Sequence, residues 1–141
     1  MTESDILEYF GIKRLENVDH SVIGLVGGLG AGKTSFVRRF VDSFFPELSN
    51  QVCSPTYTLC NLYSSNAISI LHFDLYRIEL QDELYDIGLL EALEEKRHLI
   101  FVEWIDLFPE MTSYCDELLT IIQTSEGERE YFLESRSDKS M

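Results

Sequence analysis

The chain has 141 residues, of which 11 are basic and 25 are acidic, and its formal net charge is -14. This length predicts one domain with a buried core, and the negative charge argues against direct binding to the phosphates of RNA or DNA. No stretch is long and apolar enough to cross a bilayer, the acidic start does not resemble a signal peptide, and the cysteines lack metal-type spacing. We therefore expect a cytoplasmic protein with reduced thiols and no membrane partner, whose acidity serves either solubility or docking to a basic protein.

The first elements predicted along the chain are a short helix and a buried strand. The helix is indicated by the apolar residues Ile6, Leu7, Tyr9 and Phe10. Gly11 is a plausible end signal for this helix, and a second apolar stretch lies near Ile12 and Leu15. The apolar run 22–26 then predicts a strand of a parallel sheet.

Residues 27–34, GGLGAGKT, fit the phosphate-binding pattern GxxxxGK[ST] at every fixed position. Glycines let backbone N–H groups turn toward phosphate oxygens where a Cβ atom would collide. Lys33 supplies a cation for the β and γ phosphates, and the Thr34 hydroxyl can ligate a magnesium ion. Apolar residues recur at helical spacing over 35–45, before Pro46 ends the pattern. A strand, a glycine loop and a helix therefore predict a nucleotide site rather than an ordinary glycine turn.

A segment rich in hydroxyl groups separates this loop from a predicted hairpin. In residues 52–58, Pro55 restrains the backbone while serine and threonine side chains cluster. Such a segment either reaches the γ-phosphate and becomes ordered when ATP binds, or forms a plain turn. The next two apolar runs, 58–63 and 67–73, flank the polar turn 64–66 and predict an antiparallel hairpin.

The second half of the chain predicts further helices and strands. Residues 79–96 have helical spacing interrupted by Gly88, which indicates two short helices or one broken helix. The apolar run 98–103 predicts a strand that ends in a carboxylate, and the runs 118–123 and 130–133 predict a late pair of strands.

This order of elements predicts the fold class. We expect a three-layer α/β domain with a mixed, mainly parallel central sheet and an antiparallel hairpin. With the phosphate loop after the first strand, this is a P-loop NTPase-like domain. We assign residues 1–135 to this single domain and expect residues 136–141 to form a frayed tail.

Two carboxylates follow apolar strands and are candidates for holding magnesium and its waters. Asp74 ends the second strand of the hairpin, and Glu103 ends the strand 98–103. Ligands of open α/β sheets gather at the carboxyl ends of the strands, so both side chains can face the phosphate loop. Each could instead cap the following turn, and the spacing leaves open which of the two contacts the metal.

Three further residues admit two interpretations each. His72 is either a structural hydrogen-bonding residue or a general base. Arg77 pairs with an acidic side chain or with a phosphate. Arg129 either approaches the nucleotide from the late hairpin or forms an exposed pair with Glu126 or Glu130.

Four motifs, in the same order along the chain, resemble the TsaE (YjeE) family. They are LGAGKT at 29–34, SPTYTL at 54–59, HFDLYR at 72–77 and Glu-Trp at 103–104. The acidic segment at 82–90, DELYDIGLL, is similar to the family as well. The four motifs, with the loop that begins at Gly27, span residues 27–104.

The resemblance implies an ATPase with ATP and Mg²⁺ as cofactors. Members of the family are required for making threonylcarbamoyladenosine on tRNA, and the implied partners are the TsaB and TsaD proteins. The chain would then not transfer the threonylcarbamoyl group itself, would contact tRNA only indirectly, and would not bind DNA. Since no arginine finger is evident, we expect weak hydrolysis alone and activation by the partners.

The resemblance also implies roles for individual residues. Thr34 and Glu103 would bind magnesium, Asp74 would take the Walker B-like place near the nucleotide, and Thr56 would belong to a switch-like loop. Trp104, which by itself is either a core residue or a ligand platform, would lie close to the nucleotide. The implied catalytic group is Lys33, Thr56, Asp74 and Glu103. The implied nucleotide-binding group is Gly27, Gly30, Ala31, Gly32, Lys33, Thr34, Ser35, Asp74 and Trp104.

The chain departs from the family pattern, and other functions stay open. Family members usually carry an acidic residue where this chain has Gly28, and a proline where Ile105 follows Trp104. One alternative is a binding module that uses the nucleotide to set its shape, with negligible hydrolysis. The other is a small-molecule kinase, although such enzymes normally have a lid with several arginines.

Overall fold

The computed structural model describes residues 1–14 and 20–135, which form one six-stranded sheet with helices on both faces. The strands are β1 (Val22–Val26), β2 (Cys60–Ser64), β3 (Ser69–Asp74), β4 (Leu99–Glu103), β5 (Glu117–Gln123) and β6 (Arg129–Ser135). Their order across the sheet is β2-β3-β4-β1-β5-β6. The four central strands are parallel, whereas β2 and β6 pair antiparallel at the two edges. The predicted mixed, mainly parallel sheet is confirmed.

Helices and short 3-10 turns connect the strands. The helices are α1 (Glu3–Arg14), α2 (Lys33–Phe44), α3 (Glu83–Asp86) and α4 (Leu89–Glu95), and the 3-10 segments are Pro46–Gln51, Ile105–Leu107 and Pro109–Tyr114. None of the helices in the described part of the chain is long and apolar enough to span a membrane.

The central strands alternate between two hydrophobic cores, because successive side chains of a strand point to opposite faces. On β4, Leu99 and Phe101 pack with α1 and α2, whereas Ile100 and Val102 pack with α3, α4 and the following 3-10 turns. Helix α2 contributes four fully buried residues, Phe36, Val37, Phe40 and Val41, at the spacing of one helical face. The predicted three-layer arrangement is therefore confirmed.

Most predicted elements are present, with one correction. The hairpin β2–β3 is antiparallel, and Gly88 separates α3 from α4 with a left-handed φ of 82°. Helix α1 does not end at Gly11 but continues to Arg14, because Phe10 is fully buried and Gly11 packs beside the ring of Phe44. This tertiary packing outweighs the weak helix propensity of glycine.

Two of the sequence expectations concern residues outside the described ranges. These are the apolar position Leu15 and the tail 136–141.

Candidate functional site

The candidate site lies where β1, β3 and β4 end, beside the start of α2. The strand register aligns Glu103 with Asp74 on one side and with Leu25 on the other, so the ends of the three strands lie at the same edge. A cavity of about 240 Å³ opens there. It is lined by Leu29, Gly30, Gly32, Lys33, Thr34, Ser35, Thr56, Asp74, Glu103, Trp104 and Arg129.

Nine predicted site residues line this cavity, and two do not. Gly27 is placed behind the loop, where its carbonyl accepts a hydrogen bond from Lys33. Ala31 is buried in the core formed by α1 and α2. Both residues belong to the loop but lie on its side away from the cavity.

The start of α2 directly follows the phosphate loop and lines the cavity. Gly32 precedes the helix with a φ of 109°, a left-handed conformation that favours glycine. A Cβ atom on Gly32 would lie 2.7 Å from the guanidinium carbon of Arg129. The first turn of α2 contains no acidic residue, so its backbone N–H groups and dipole favour an external anion.

Lys33 is almost fully buried, and within residues 1–14 and 20–135 its hydrogen bonds go to backbone carbonyls and not to a carboxylate. Its Nζ donates to the carbonyl oxygens of Gly27 at 2.6 Å and Gly28 at 2.9 Å, and lies 4.1 Å from the centre of the Trp104 ring. Burial lowers the pKa of Lys33, while the negative charge of nearby carboxylates, first that of Glu103, opposes this shift. The ammonium group is thus positioned at the cavity by neutral partners and can turn toward an anion.

Glu103 joins the loop to the sheet. Its Oε2 accepts hydrogen bonds from the Thr34 hydroxyl at 2.6 Å and from His72 Nε2 at 2.6 Å. Glu103 as a whole residue is 4% exposed. His72 therefore acts here as a hydrogen-bonding residue, which is one of the two interpretations of the sequence.

Asp74 is held in place from both sides. Its Oδ1 accepts from the backbone N–H of Tyr76 at 2.9 Å, and its Oδ2 accepts from the Thr56 hydroxyl at 3.1 Å. Burial raises the pKa of Asp74, and the charge of Glu103 raises it further, while the hydrogen bonds from Tyr76 and Thr56 lower it. Thr56 in turn contacts the Ser54 hydroxyl at 2.8 Å, so the hydroxyl-rich segment reaches the cavity through these contacts.

Two side-chain oxygens at this site are of the kind that could hold a magnesium ion. In residues 1–14 and 20–135, no group of three or more His, Cys, Asp and Glu side chains is arranged to hold a metal ion. Magnesium is commonly bound by one or two carboxylates together with phosphate oxygens and water. The Thr34 hydroxyl and the Glu103 carboxylate, already in contact, are a donor set of this kind.

Trp104 lines the cavity and also packs against the hydrophobic core on the α3–α4 side of the sheet. It follows β4 with a φ of 63°, and its ring lies 4.7 Å from that of Tyr76. The next residue, Ile105, is fully buried in the core beneath α4 and begins a 3-10 turn. An apolar side chain thus anchors the chain at the position where the family usually has proline.

Arg129 and Leu29 are the cavity residues that the sequence did not assign to the site. The sequence left Arg129 between the nucleotide and two glutamates, and the structure places its guanidinium against Gly32. Arg77 lies 5.1 Å from the centre of the Tyr57 ring, a contact that the sequence did not predict.

Gly28 stands where the family pattern usually has an acidic residue, and the structure has room for such a side chain there. A Cβ atom there would meet nothing within 4 Å. The departure at Gly28 therefore removes a side chain without leaving a packing defect.

Comparisons with known proteins identify the family and the fold of the chain. The family described as threonylcarbamoyl adenosine biosynthesis protein TsaE matches residues 4–131. A crystal structure of YdiB from Bacillus subtilis has the same fold, with a TM-score of 0.57 and 24% identity, over 100% of this chain and 86% of that one. The α/β fold of the P-loop type is therefore confirmed.

Relatives named tRNA threonylcarbamoyladenosine biosynthesis protein TsaE share a large part of the sequence. The Rickettsia felis protein is 39% identical over 88 residues, or 62% of this chain and 50% of its own length. The Bacillus subtilis protein is 34% identical over 109 residues, or 77% of this chain and 66% of its own. The chain thus spans about half the length of the Rickettsia felis relative. Since the family match extends over residues 4–131, the chain belongs to the TsaE family.

Proposed function

We propose that the chain binds Mg²⁺ and ATP in this cavity and hydrolyses ATP slowly, in support of threonylcarbamoyladenosine formation on tRNA. The observation that carries the proposal is the meeting of Lys33, Thr34 and Glu103 at the start of α2. These residues come from the first turn of α2 and from the end of β4, which are far apart in sequence but share one cavity. A site for Mg²⁺ and ATP requires backbone N–H groups and a cation that bind phosphate, together with oxygen ligands for magnesium.

Each residue has a defined task in this proposal. The loop N–H groups, Lys33 and Arg129 would neutralise the phosphates, with Lys33 exchanging its carbonyl partners for phosphate oxygens. Thr34 and Glu103 would hold magnesium, which supplies further neutralisation of charge on the phosphates when bound. Asp74, fixed by Thr56 and Tyr76, would orient the attacking water.

The proposed route to tRNA is indirect and passes through TsaB and TsaD. The net charge of -14 would repel a tRNA backbone, so the chain is suited to act on the protein complex that carries out the modification. Hydrolysis in the cavity would then drive turnover of that complex.

The direct test measures ATP hydrolysis by the full chain with and without TsaB and TsaD. We expect slow hydrolysis by the chain alone and a clear increase when both partners are present. A chain that is already fully active alone, and unaffected by the partners, would contradict partner-dependent hydrolysis.

A second measurement separates hydrolysis from nucleotide-gated binding. The Glu103→Ala variant is assayed for ATP binding and for tRNA modification with the partner proteins. We expect the variant to lose modification although it still binds ATP. Full modification by an ATP-bound, non-hydrolysing variant would replace the ATPase by a binding module.

A further inference from the structure

A buried chain of hydrogen bonds connects Glu103 to the segment that carries Thr56. His72 Nε2 lies 2.6 Å from Glu103 Oε2, and His72 Nδ1 lies 2.8 Å from the Tyr63 hydroxyl. That hydroxyl donates to the carbonyl of Cys53 at 2.8 Å. His72 is 0% and Tyr63 1% exposed, so water does not compete for these bonds.

This hydrogen-bond network determines which oxygen of Glu103 accepts hydrogen bonds from the protein. The hydrogen bonds that the described residues give to Glu103, from Thr34 and His72, both fall on Oε2. Oε1 is therefore the oxygen left for a metal ion or for a metal-bound water. A carboxylate that is oriented in advance by donors on one oxygen binds a metal more tightly than a freely rotating one.

At the end of this hydrogen-bond network that is farther from Glu103, Tyr63 holds the start of the hydroxyl-rich segment. Cys53 is bound at both backbone groups, since its N–H donates to the Tyr63 hydroxyl at 3.3 Å and its carbonyl also accepts from Asn61 at 3.1 Å. One residue further on, Ser54 contacts Thr56, which donates to Asp74. The two carboxylates of the site are thus connected through one short stretch of backbone.

We propose that His72 and Tyr63 are positioning residues, which hold Glu103 for magnesium and keep residues 53–56 in place relative to it. The inference rests on the proposed function, because it assigns their role to magnesium binding at the ATP site. Neither side chain lines the cavity, so both act through Glu103 and through the segment 53–56.

The experiment follows magnesium binding without hydrolysis. Trp104 is the single tryptophan of the chain and lines the cavity, so its fluorescence reports on the site. Magnesium is titrated into the 141-residue chain saturated with β,γ-imido-ATP, and binding of the same analogue is measured separately in EDTA. The variants are His72→Leu, which removes both bonds of the ring, His72→Gln, which keeps an amide donor for Glu103, and Tyr63→Phe.

We expect His72→Leu to weaken magnesium binding by about 10- to 100-fold, as the loss of an outer partner of a metal ligand does. His72→Gln should restore part of this loss, and Tyr63→Phe should weaken magnesium binding by about two- to tenfold. Affinity for the analogue in EDTA should stay within about twofold, because the phosphate loop keeps its contacts. A purely structural role would lower both affinities together.

Matched controls use the same chemical changes away from the site. His98→Leu removes a histidine that contacts Ser69 at the opposite end of the sheet, and Tyr9→Phe removes a hydroxyl that donates to Glu117. Both controls should bind magnesium as the wild type does. The link to the segment 53–56 is tested by combining Tyr63→Phe with Thr56→Val, whose joint loss should be smaller than the product of the single losses.

The outcomes separate the inference from the proposed function. Wild-type magnesium affinity in both folded variants, His72→Leu and Tyr63→Phe, overturns the inference and leaves the ATP site intact. Equal losses of magnesium and of magnesium-free analogue binding in Tyr63→Phe also overturn it. A wild-type protein that binds no analogue overturns the proposed function itself.

Discussion

The two ends of the central sheet each carry a cavity, and the smaller one has the chemistry. The cavity at the amino ends of β1, β4 and β5 measures about 500 Å³, against about 240 Å³ at the carboxyl ends. Yet of the five buried polar or charged residues in the described part of the chain, four belong to the carboxyl end: Lys33, His72, Asp74 and Glu103. Buried polar groups are costly unless they serve each other or a ligand, so their convergence marks the site better than volume does.

The largest effect is expected when a lysine at the carboxyl end of the sheet is compared with one at the amino end. Lys33→Ala should weaken ATP binding by about a hundredfold or more, because a charge-assisted bond to phosphate contributes about 1.5–3 kcal/mol and the loop also loses its internal contacts. Lys96→Ala removes an exposed lysine at the larger cavity and should leave ATP affinity unchanged. Calorimetric titration of both variants checks this, and equal affinities would remove the distinction between the two ends.

The next contrast concerns carboxylates. Glu103→Gln should lower magnesium-dependent hydrolysis by about 10- to 100-fold, because the amide is a poorer magnesium ligand than the carboxylate. Glu94→Gln, at the larger cavity, is the matched control and should hydrolyse ATP as the wild type does. Phosphate release at several magnesium concentrations measures the difference. A Glu103→Gln variant with unchanged hydrolysis would exclude Glu103 as a metal ligand.

Arg129 should have a smaller effect because its side chain is exposed. Arg129→Ala should weaken ATP binding by about three- to tenfold, since solvent screens an exposed guanidinium. Arg97→Ala removes an exposed arginine that pairs with Glu95 far from the loop, and it should change nothing at the site. Nucleotide titrations of the two variants decide whether Arg129 contacts the ligand or only covers Gly32.

The smallest effect concerns stability. The pKa of Asp74 is raised in the folded protein, so the folded state binds the proton of this carboxyl group more tightly than the unfolded state does. Asp74 therefore lowers the free energy of unfolding as the pH rises above the ordinary pKa of an aspartate. Asp74→Asn, which does not titrate, should therefore reduce the fall in Tm that the ligand-free protein shows as the pH rises from acid to neutral. At the other end of the sheet, Asp116 accepts from the Val22 N–H at 2.8 Å, and Asp116→Ala, which removes this acceptor, should lower the Tm. Thermal melts across pH test the Asp74 variant, and melts at neutral pH test the Asp116 variant.

The parts of the site that follow strands could be predicted from sequence. Asp74 and Glu103 end apolar runs, and the carboxyl ends of parallel strands meet at one edge, so their proximity to Lys33 follows from the pattern. The hairpin β2–β3 and the break at Gly88 could also be predicted, because turn residues and periodicity are local signals in the sequence.

The remaining features depend on contacts between distant parts of the chain. Arg129 reaches the phosphate loop only because β5 pairs with β1 and carries β6 beside it, and no local pattern specifies that order. The contact of Tyr63 with His72 depends on the register of the hairpin, where a shift of one residue would turn either side chain to the other face. Helix α1 passes Gly11 because of the core around Phe10, which is again a long-range effect.

The two bonds from Lys33 to the carbonyls of Gly27 and Gly28 have a kinetic consequence. The same ammonium group that closes the loop on itself is the group that a phosphate would recruit. A ligand arriving at the loop would therefore displace an internal brace, and its departure would restore that brace. The loop would keep its shape between turnovers, and the barrier to loading would be an exchange of hydrogen bonds instead of the refolding of a disordered glycine segment.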